Sequence, residues 1–166
     1  MIRNYLKDHD AEFKGLDHQT DTYFNVAIGR LKLREGNIEN NLIYYERSDQ
    51  PGPKDSIFQL VNVTGTKGLK EILVKSLGVK VIVEKRREIW YIANVKFHID
   101  EVPGLGSFIE IEAGNILADL SKEELQKQCD HYVNEFGIKD QDLIAVSYSD
   151  MLIEYRISSK EQGISK

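Results

Sequence analysis

Gly29-Arg30-Leu31-Lys32-Leu33-Arg34-Glu35 alternates without a break, with Arg30, Lys32 and Arg34 on one side and Leu31 and Leu33 on the other. Successive side chains of a β-strand point to opposite faces. The stretch therefore reads as a strand over 30–35 with three cations on one face and two leucines on the other. A strand with one solvated face carries this pattern, and so does a strand whose cationic face meets an anionic ligand.

The flanking sequence supplies more strands. Residues 19–26 are rich in β-formers (Thr20, Thr22, Tyr23, Phe24, Val26), and Gly29 turns that strand into 30–35. Gly36-Asn37 is a turn, after which strands follow over 42–47 and 57–63, separated by a loop at 48–55 around Pro51-Gly52-Pro53. Leu69, Ile72, Leu73 and Leu77 keep the helical period, with Gly78 as the stop, and a long strand spans 79–92. Ala93-Asn94 and Pro103-Gly104 connect it to strands over 96–102 and 107–113. Ile2, Tyr5 and Leu6 predict a short opening helix. Ser121-Lys122-Glu123-Glu124 is a capping box for a helix with Leu125, Cys129, Tyr132, Val133 and Phe136 on one stripe. A short strand at 143–146 and a last helical turn or two over 149–155 complete the pattern. Short turns between strands predict an α+β chain built on an antiparallel sheet curling into a β-barrel, with flanking helices. It reads as a single domain over 1–156, followed by a polar tail at 157–166.

With 166 residues, 41% hydrophobic and 30% charged, the chain is long enough to bury one core. The net charge of −5 argues against nucleic acid as a partner. Residues 1–95 hold 15 Lys/Arg against 13 Asp/Glu, and residues 96–166 hold 7 against 14, so cations and carboxylates come from different parts of the chain. No apolar run is long enough for a membrane span or a signal peptide. The lone Cys129 fits a reducing, cytoplasmic location and reads as a small core residue, not a nucleophile.

Other strands repeat the logic of 30–35. Tyr45 and Arg47 share a face, as do Lys85 and Arg87, His98 and Asp100, and Phe108, Glu110 and Glu112. On residues alone, a solvated face and a ligand-holding face both remain open. If these faces line an interior, like charges about 6 Å apart repel by roughly 3 kcal/mol at an effective dielectric near 20. Arg30, Lys32, Arg34, Arg47, Lys85 and Arg87 would then need counter-charge from a polyanion or from facing carboxylates. Arginine forks suit phosphate oxygens, and Asp100, Glu110 and Glu112 are hard oxygen donors suited to Mg²⁺ or Mn²⁺. There is no phosphate loop, dinucleotide fingerprint or zinc spacing. His9, His18, His98 and His131 are scattered, and no catalytic residue can be assigned.

Taken in order over residues 1–153, these motifs resemble the CYTH superfamily, and within it the class IV adenylyl cyclases: Gln19-x-Asp21-Thr22-Tyr23-Phe24, Gly29 to Arg34, Leu42-Ile43-x-Tyr45-x-Arg47, Val83-x-Lys85-x-Arg87, His98-Ile99-Asp100-x-Val102, Leu105-Gly106-x-Phe108-Ile109-Glu110-Ile111-Glu112 and Ser147-Tyr148-Ser149-Asp150. The resemblance implies a triphosphate tunnel, ideally of eight antiparallel strands, with seven in this chain. It implies that Lys32, Arg34, Arg47, Lys85 and Arg87 hold phosphate, with Arg30 on the same face, and that Glu110 and Glu112, with Asp100 beside them, hold the metal. The family's first strand carries Glu-x-Glu-x-Lys, and no such motif occurs here. The resulting free sheet edge could be completed by a second subunit in a homodimer. The implied partner is a triphosphate-containing small molecule bound with Mg²⁺ or Mn²⁺. The implied activity is conversion of ATP to cyclic AMP and pyrophosphate. A thiamine or inorganic triphosphatase and a catalytically impaired polyphosphate-binding module are the alternatives.

Overall fold

The computed structural model describes residues 1–47, 56–115 and 119–163, with side chains outside 47, 56–58 and 158–163. The expected loop at 48–55 lies outside the described residues. Helix α1 (Ile2–Asp8) precedes strands β1 (Glu12–Phe24), β2 (Arg30–Glu35), β3 (Asn40–Arg47) and β4 (Ser56–Asn62). Helix α2 (Thr66–Leu77) leads into β5 (Val79–Ile92), β6 (Val95–Val102) and β7 (Gly106–Ala113), and helices α3 (Lys122–Glu135) and α4 (Tyr148–Gly163) follow. The strands form one sheet in the order β4-β3-β2-β1-β5-β6-β7, with every pair antiparallel. The sheet is not closed: β4 and β7 stand at its two ends. The longest strands, β1 and β5, pair at its centre over twelve residue positions. That pairing absorbs a register shift at Gly15, whose φ of +135° a side-chain-bearing residue rarely adopts.

Period-2 alternation gives the sheet two distinct faces, each with its own apolar cluster. On one face Trp90, Val95 and Phe97 pack with Leu6 of α1 and Phe136 after α3, with Tyr5 and Tyr132 at the margin. Ser121 caps α3 as its sequence predicts: Ser121 N donates to Glu124 Oε2 at 2.8 Å and Glu124 N donates to Ser121 Oγ at 3.3 Å. Cys129 is half-buried and burial pushes its thiol up, which accords with a packing role. On the other face Tyr23, Val81, Val83 and Val102 receive Leu152 of α4.

Two expectations about the C-terminal third change. Residues 143–146 form no strand; a 3-10 turn (Asp140–Asp142) precedes them, and they wall a cleft beside β7 without joining its ladder. The last helix is far longer than a turn or two. Ser147 caps it, its Oγ accepting from Asp150 N at 3.3 Å and donating to Asp150 Oδ2 at 2.7 Å. The helix continues through Gly163. No helix among the described residues is long and apolar enough to cross a membrane.

Candidate functional site

The face that receives α4 also carries the charges, and strand register decides which of them meet. Asp21, in the middle of β1, stands directly opposite Arg34 of β2. One step to either side, Lys32 stands opposite Tyr23 and Lys85 of β5 opposite Gln19, so both lie diagonal to Asp21. All three cations reach it. Asp21 Oδ2 accepts from Lys32 Nζ at 2.8 Å, Lys85 Nζ at 2.7 Å and Arg34 Nη2 at 3.0 Å, while Oδ1 accepts from Arg34 Nε at 2.9 Å.

Because the three donors share one oxygen, no two of them are more than about 5.8 Å apart. At an effective dielectric near 20 such charges repel by roughly 3 kcal/mol per pair, whereas each attracts the carboxylate by about 6 kcal/mol. Asp21 therefore converts a self-repelling trio into a bound one. Burial alone would raise its carboxyl, but Lys32, Lys85 and Arg34 hold it well below the usual carboxylate range. Burial drives Lys85 down to about 7, Asp21 opposing and Arg87, Lys32 and Arg34 adding to the fall.

A second group adjoins the first. Arg87, 3% exposed, donates from Nε and Nη2 to Asp100 at 2.7 and 2.5 Å and from Nη2 to Glu110 at 2.8 Å. Tyr148, at the start of α4, donates its hydroxyl to Asp100 Oδ2 at 3.0 Å. His98 Nδ1 lies 3.2 Å from Glu110 Oε2, and since a carboxylate only accepts, Nδ1 carries the proton. Burial, aided by Arg87, takes His98 down to about 3, so its ring is neutral. Its Nε2 and Gln19 Oε1 are buried with no hydrogen-bond partner among the described residues. The Glu110 side chain is 45% exposed and opens on a cleft of about 560 Å³ along the free edge of β7. Phe108, Glu112 and Tyr148 also line this cleft, and Lys32, Arg34 and Lys85 do not.

A third group forms at the β2–β3 turn. Glu39 accepts from Lys96 Nζ at 2.7 Å, Arg34 Nη1 at 3.0 Å and Gln19 Nε2 at 3.0 Å. Burial raises its carboxyl, but Lys96 and Arg34 bring it down to about 2. The fully buried Asp17 holds the turn that presents it, accepting from Ile38 N at 2.9 Å and Glu39 N at 3.0 Å. Gly36 is required there: a Cβ would sit 2.6 Å from the Asp17 carboxylate oxygens.

Of the residues singled out in the sequence, Lys32, Arg34 and Lys85 meet at one point, and Arg87 lies beside them, engaged by Asp100 and Glu110. Arg30 sits toward α4, donating to Asp150 Oδ2 at 2.8 Å. Arg47 pairs through its backbone with Ser56, and its side chain lies outside those described. Glu112 is exposed on β7 opposite Lys96. Both Asp100 oxygens are taken by Arg87, and one also by Tyr148. Asp17, Asp21, Glu39 and Tyr148 were missed as site residues. The signal for the first two was present: Asp17, Gln19, Asp21 and Tyr23 alternate as strictly as the cations of β2 do.

An open antiparallel sheet with paired cations and carboxylates stacked along one face, flanked by helices, is the triphosphate-tunnel architecture. The chain belongs to the CYTH domain family, whose model matches residues 2–148. No curated protein matches it in sequence. Among solved structures it is similar to the PH1012 protein of Pyrococcus horikoshii, with 25% identity, a TM-score of 0.78 and 90% of each chain covered. A conserved hypothetical protein of Pyrococcus furiosus matches at 20% identity and a TM-score of 0.73, over 89% of this chain and 90% of that one. A Vibrio parahaemolyticus protein described as a "putative adenylate cyclase" matches at 18% identity and a TM-score of 0.74, over 90% of this chain and 88% of that one. Likenesses at 20% and 18% identity carry the fold alone.

Proposed function

We propose that the charged face binds the triphosphate of a nucleoside or organic triphosphate together with a divalent metal, and that the chain acts as a class IV adenylyl cyclase-like enzyme. The observation that carries this reading is the convergence of Lys32, Arg34 and Lys85 on a single oxygen acceptor. Three cations within reach of one anionic oxygen match the demand of a phosphoryl group, whose charge is spread over several oxygens. The unpartnered His98 Nε2 and Gln19 Oε1 support a further polar occupant on the same face. The cyclase choice rests on the sequence resemblance to the class IV adenylyl cyclases.

Members of this family generally use divalent metals. Glu110 and Glu112, two positions apart on β7 beside the cleft, are oxygen donors of the kind Mg²⁺ or Mn²⁺ takes. Arg87 and His98 engage Glu110 Oε2, and no three carboxylate, His or Cys side chains gather as a metal group among the described residues, so water and phosphate oxygens would supply the remaining ligands. Asp100 fits less well, since Arg87 and Tyr148 engage its carboxylate. When bound, the metal supplies charge neutralisation along the phosphates.

In the cyclase reaction the ribose 3′-hydroxyl attacks the α-phosphorus and pyrophosphate leaves with its bridging oxygen. Lys32, Arg34 and Lys85 hold phosphoryl oxygens, and Arg87 keeps Glu110 and Asp100 in place. A second reading, a polyphosphate-binding module of reduced activity, is favoured by the engagement of Asp100, which leaves Glu110 and Glu112 as the metal donors. Water attack on the terminal phosphorus would make the chain a thiamine or inorganic triphosphatase. The single cysteine accords with a cytoplasmic setting.

The test is thermal unfolding with tripolyphosphate and with ATP, each with and without Mn²⁺, followed by product analysis with ATP and thiamine triphosphate. Stabilisation by both ligands and release of cyclic AMP and pyrophosphate are expected. No stabilisation by either ligand sinks the triphosphate reading, and phosphate release in place of pyrophosphate replaces the cyclase with a hydrolase.

A further inference from the structure

We propose that Asp21 is the internal counter-anion of the site, a positioning residue whose carboxylate holds Lys32, Arg34 and Lys85 where phosphoryl oxygens are to be bound and competes with those oxygens for them. This role rests on the triphosphate reading given above.

The geometry carries the inference. One Asp21 oxygen accepts from three different cations, a coordination that a non-bridging phosphoryl oxygen can reproduce donor for donor. The carboxylate is 1% exposed, so water cannot take over its role. Lys85, whose side chain is also 1% exposed, has Asp21 as its one ion-pair partner among the described residues, and its ammonium lies 6.0 Å from the Tyr148 ring. Lys32 donates to Asp21 at 2.8 Å and to the Tyr23 hydroxyl at 3.4 Å, and lies 5.8 Å from the Tyr45 ring. Arg34 turns Nε and Nη2 to Asp21 and only Nη1 to Glu39. The carboxylate thus accepts a hydrogen bond from each of the three cations. Lys32 and Arg34 together outweigh the single Asp21 charge, and an incoming anion favours the charged form of Lys85, so the cluster still attracts an anion. A plain core ion pair has a different signature: neutralising it destabilises the fold and gives a ligand nothing.

Asp21→Asn and the wild-type chain are compared by thermal unfolding and by calorimetric titration with tripolyphosphate at several salt concentrations. The variant is expected to melt below wild type without tripolyphosphate. Tripolyphosphate should raise its melting temperature by more than it raises the wild type's, and should bind about ten- to a hundred-fold more tightly, with a steeper salt dependence. Equal or weaker binding by folded Asp21→Asn overturns the proposal. If Asp21→Asn folds only with tripolyphosphate present, the ligand has replaced the carboxylate and the proposal stands. If it does not fold at all, Asp21→Glu decides, because it keeps all three cations and the counter-charge but sets the carboxylate on a longer arm that displaces their donors. It is expected to fold and to bind tripolyphosphate about tenfold more weakly than wild type, and binding equal to wild type there overturns the proposal. Absence of any wild-type response refutes the triphosphate reading itself, whereas a wild-type response without a larger variant response refutes only the role of Asp21.

Discussion

Arg87→Met is expected to lower folding stability by about 3 kcal/mol, at the lower end of the 3–5 kcal/mol typical of a broken buried ion pair. The structure sets that figure. Arg87 makes three hydrogen bonds to two carboxylates, and the Asp100 side chain is fully buried. Without the guanidinium, Asp100 keeps only the Tyr148 hydroxyl at 3.0 Å among its described side-chain partners, so a buried charge is left nearly uncompensated. Glu110, 45% exposed, rehydrates and adds little to the loss. Removal of Arg87 also relieves its repulsion of Lys85, which places the value at the lower end. For a domain of this size about 3 kcal/mol corresponds to a fall in melting temperature of roughly 6–12 °C. Urea and thermal unfolding of wild type, Arg87→Met, Asp100→Asn and the double variant close a thermodynamic cycle. The double variant, freed of the stranded charge, should recover more than half of the loss. A single-variant loss under about 1 kcal/mol, or a double variant no more stable than Arg87→Met, would refute the reasoning.

Arg34→Ala removes two charge-assisted bonds to Asp21 and one to Glu39, and tripolyphosphate binding should weaken by about 1.5–3 kcal/mol in calorimetric titration; unchanged affinity excludes Arg34 from the site. Lys85 has a folded value of about 7, below its ordinary 10.5, so the unfolded chain binds more protons between these limits. The Lys85 contribution to stability therefore rises with pH from about 7 to about 10.5. A bound polyanion favours the charged form, so titrations at pH 8 in buffers of different ionisation enthalpy should show proton uptake that disappears in Lys85→Met. Glu112→Gln should reduce the extra stabilisation that Mn²⁺ adds to tripolyphosphate while leaving metal-free binding intact. Gly36→Ala drives a methyl into the Asp17 carboxylate, loosens its bonds to Ile38 and Glu39, and should destabilise by about 1–3 kcal/mol in urea unfolding.

Alternation by itself determined most of the strands and the sidedness of their charges, although the first strand, expected over 19–26, spans Glu12–Phe24. The cationic strand at 30–35 and the long strand at 79–92 have the bounds their periodicity predicts, and the α3 capping box forms as spelled. These are local properties, since a period of two fixes which side chains share a face wherever the strand pairs. Only the tertiary structure decided which charges meet. Asp21 faces Arg34 and reaches Lys32 and Lys85 because β1 pairs with β2 in one register and with β5, over sixty residues away, in another. A one-residue slip in either pairing would turn Asp21 away from them. The same holds for Tyr148, brought to Asp100 across 48 positions by the docking of α4, and for residues 143–146, which have strand composition but no ladder to join. Composition and period are written along the chain, but charge pairing depends on register between distant strands, and no local pattern encodes it.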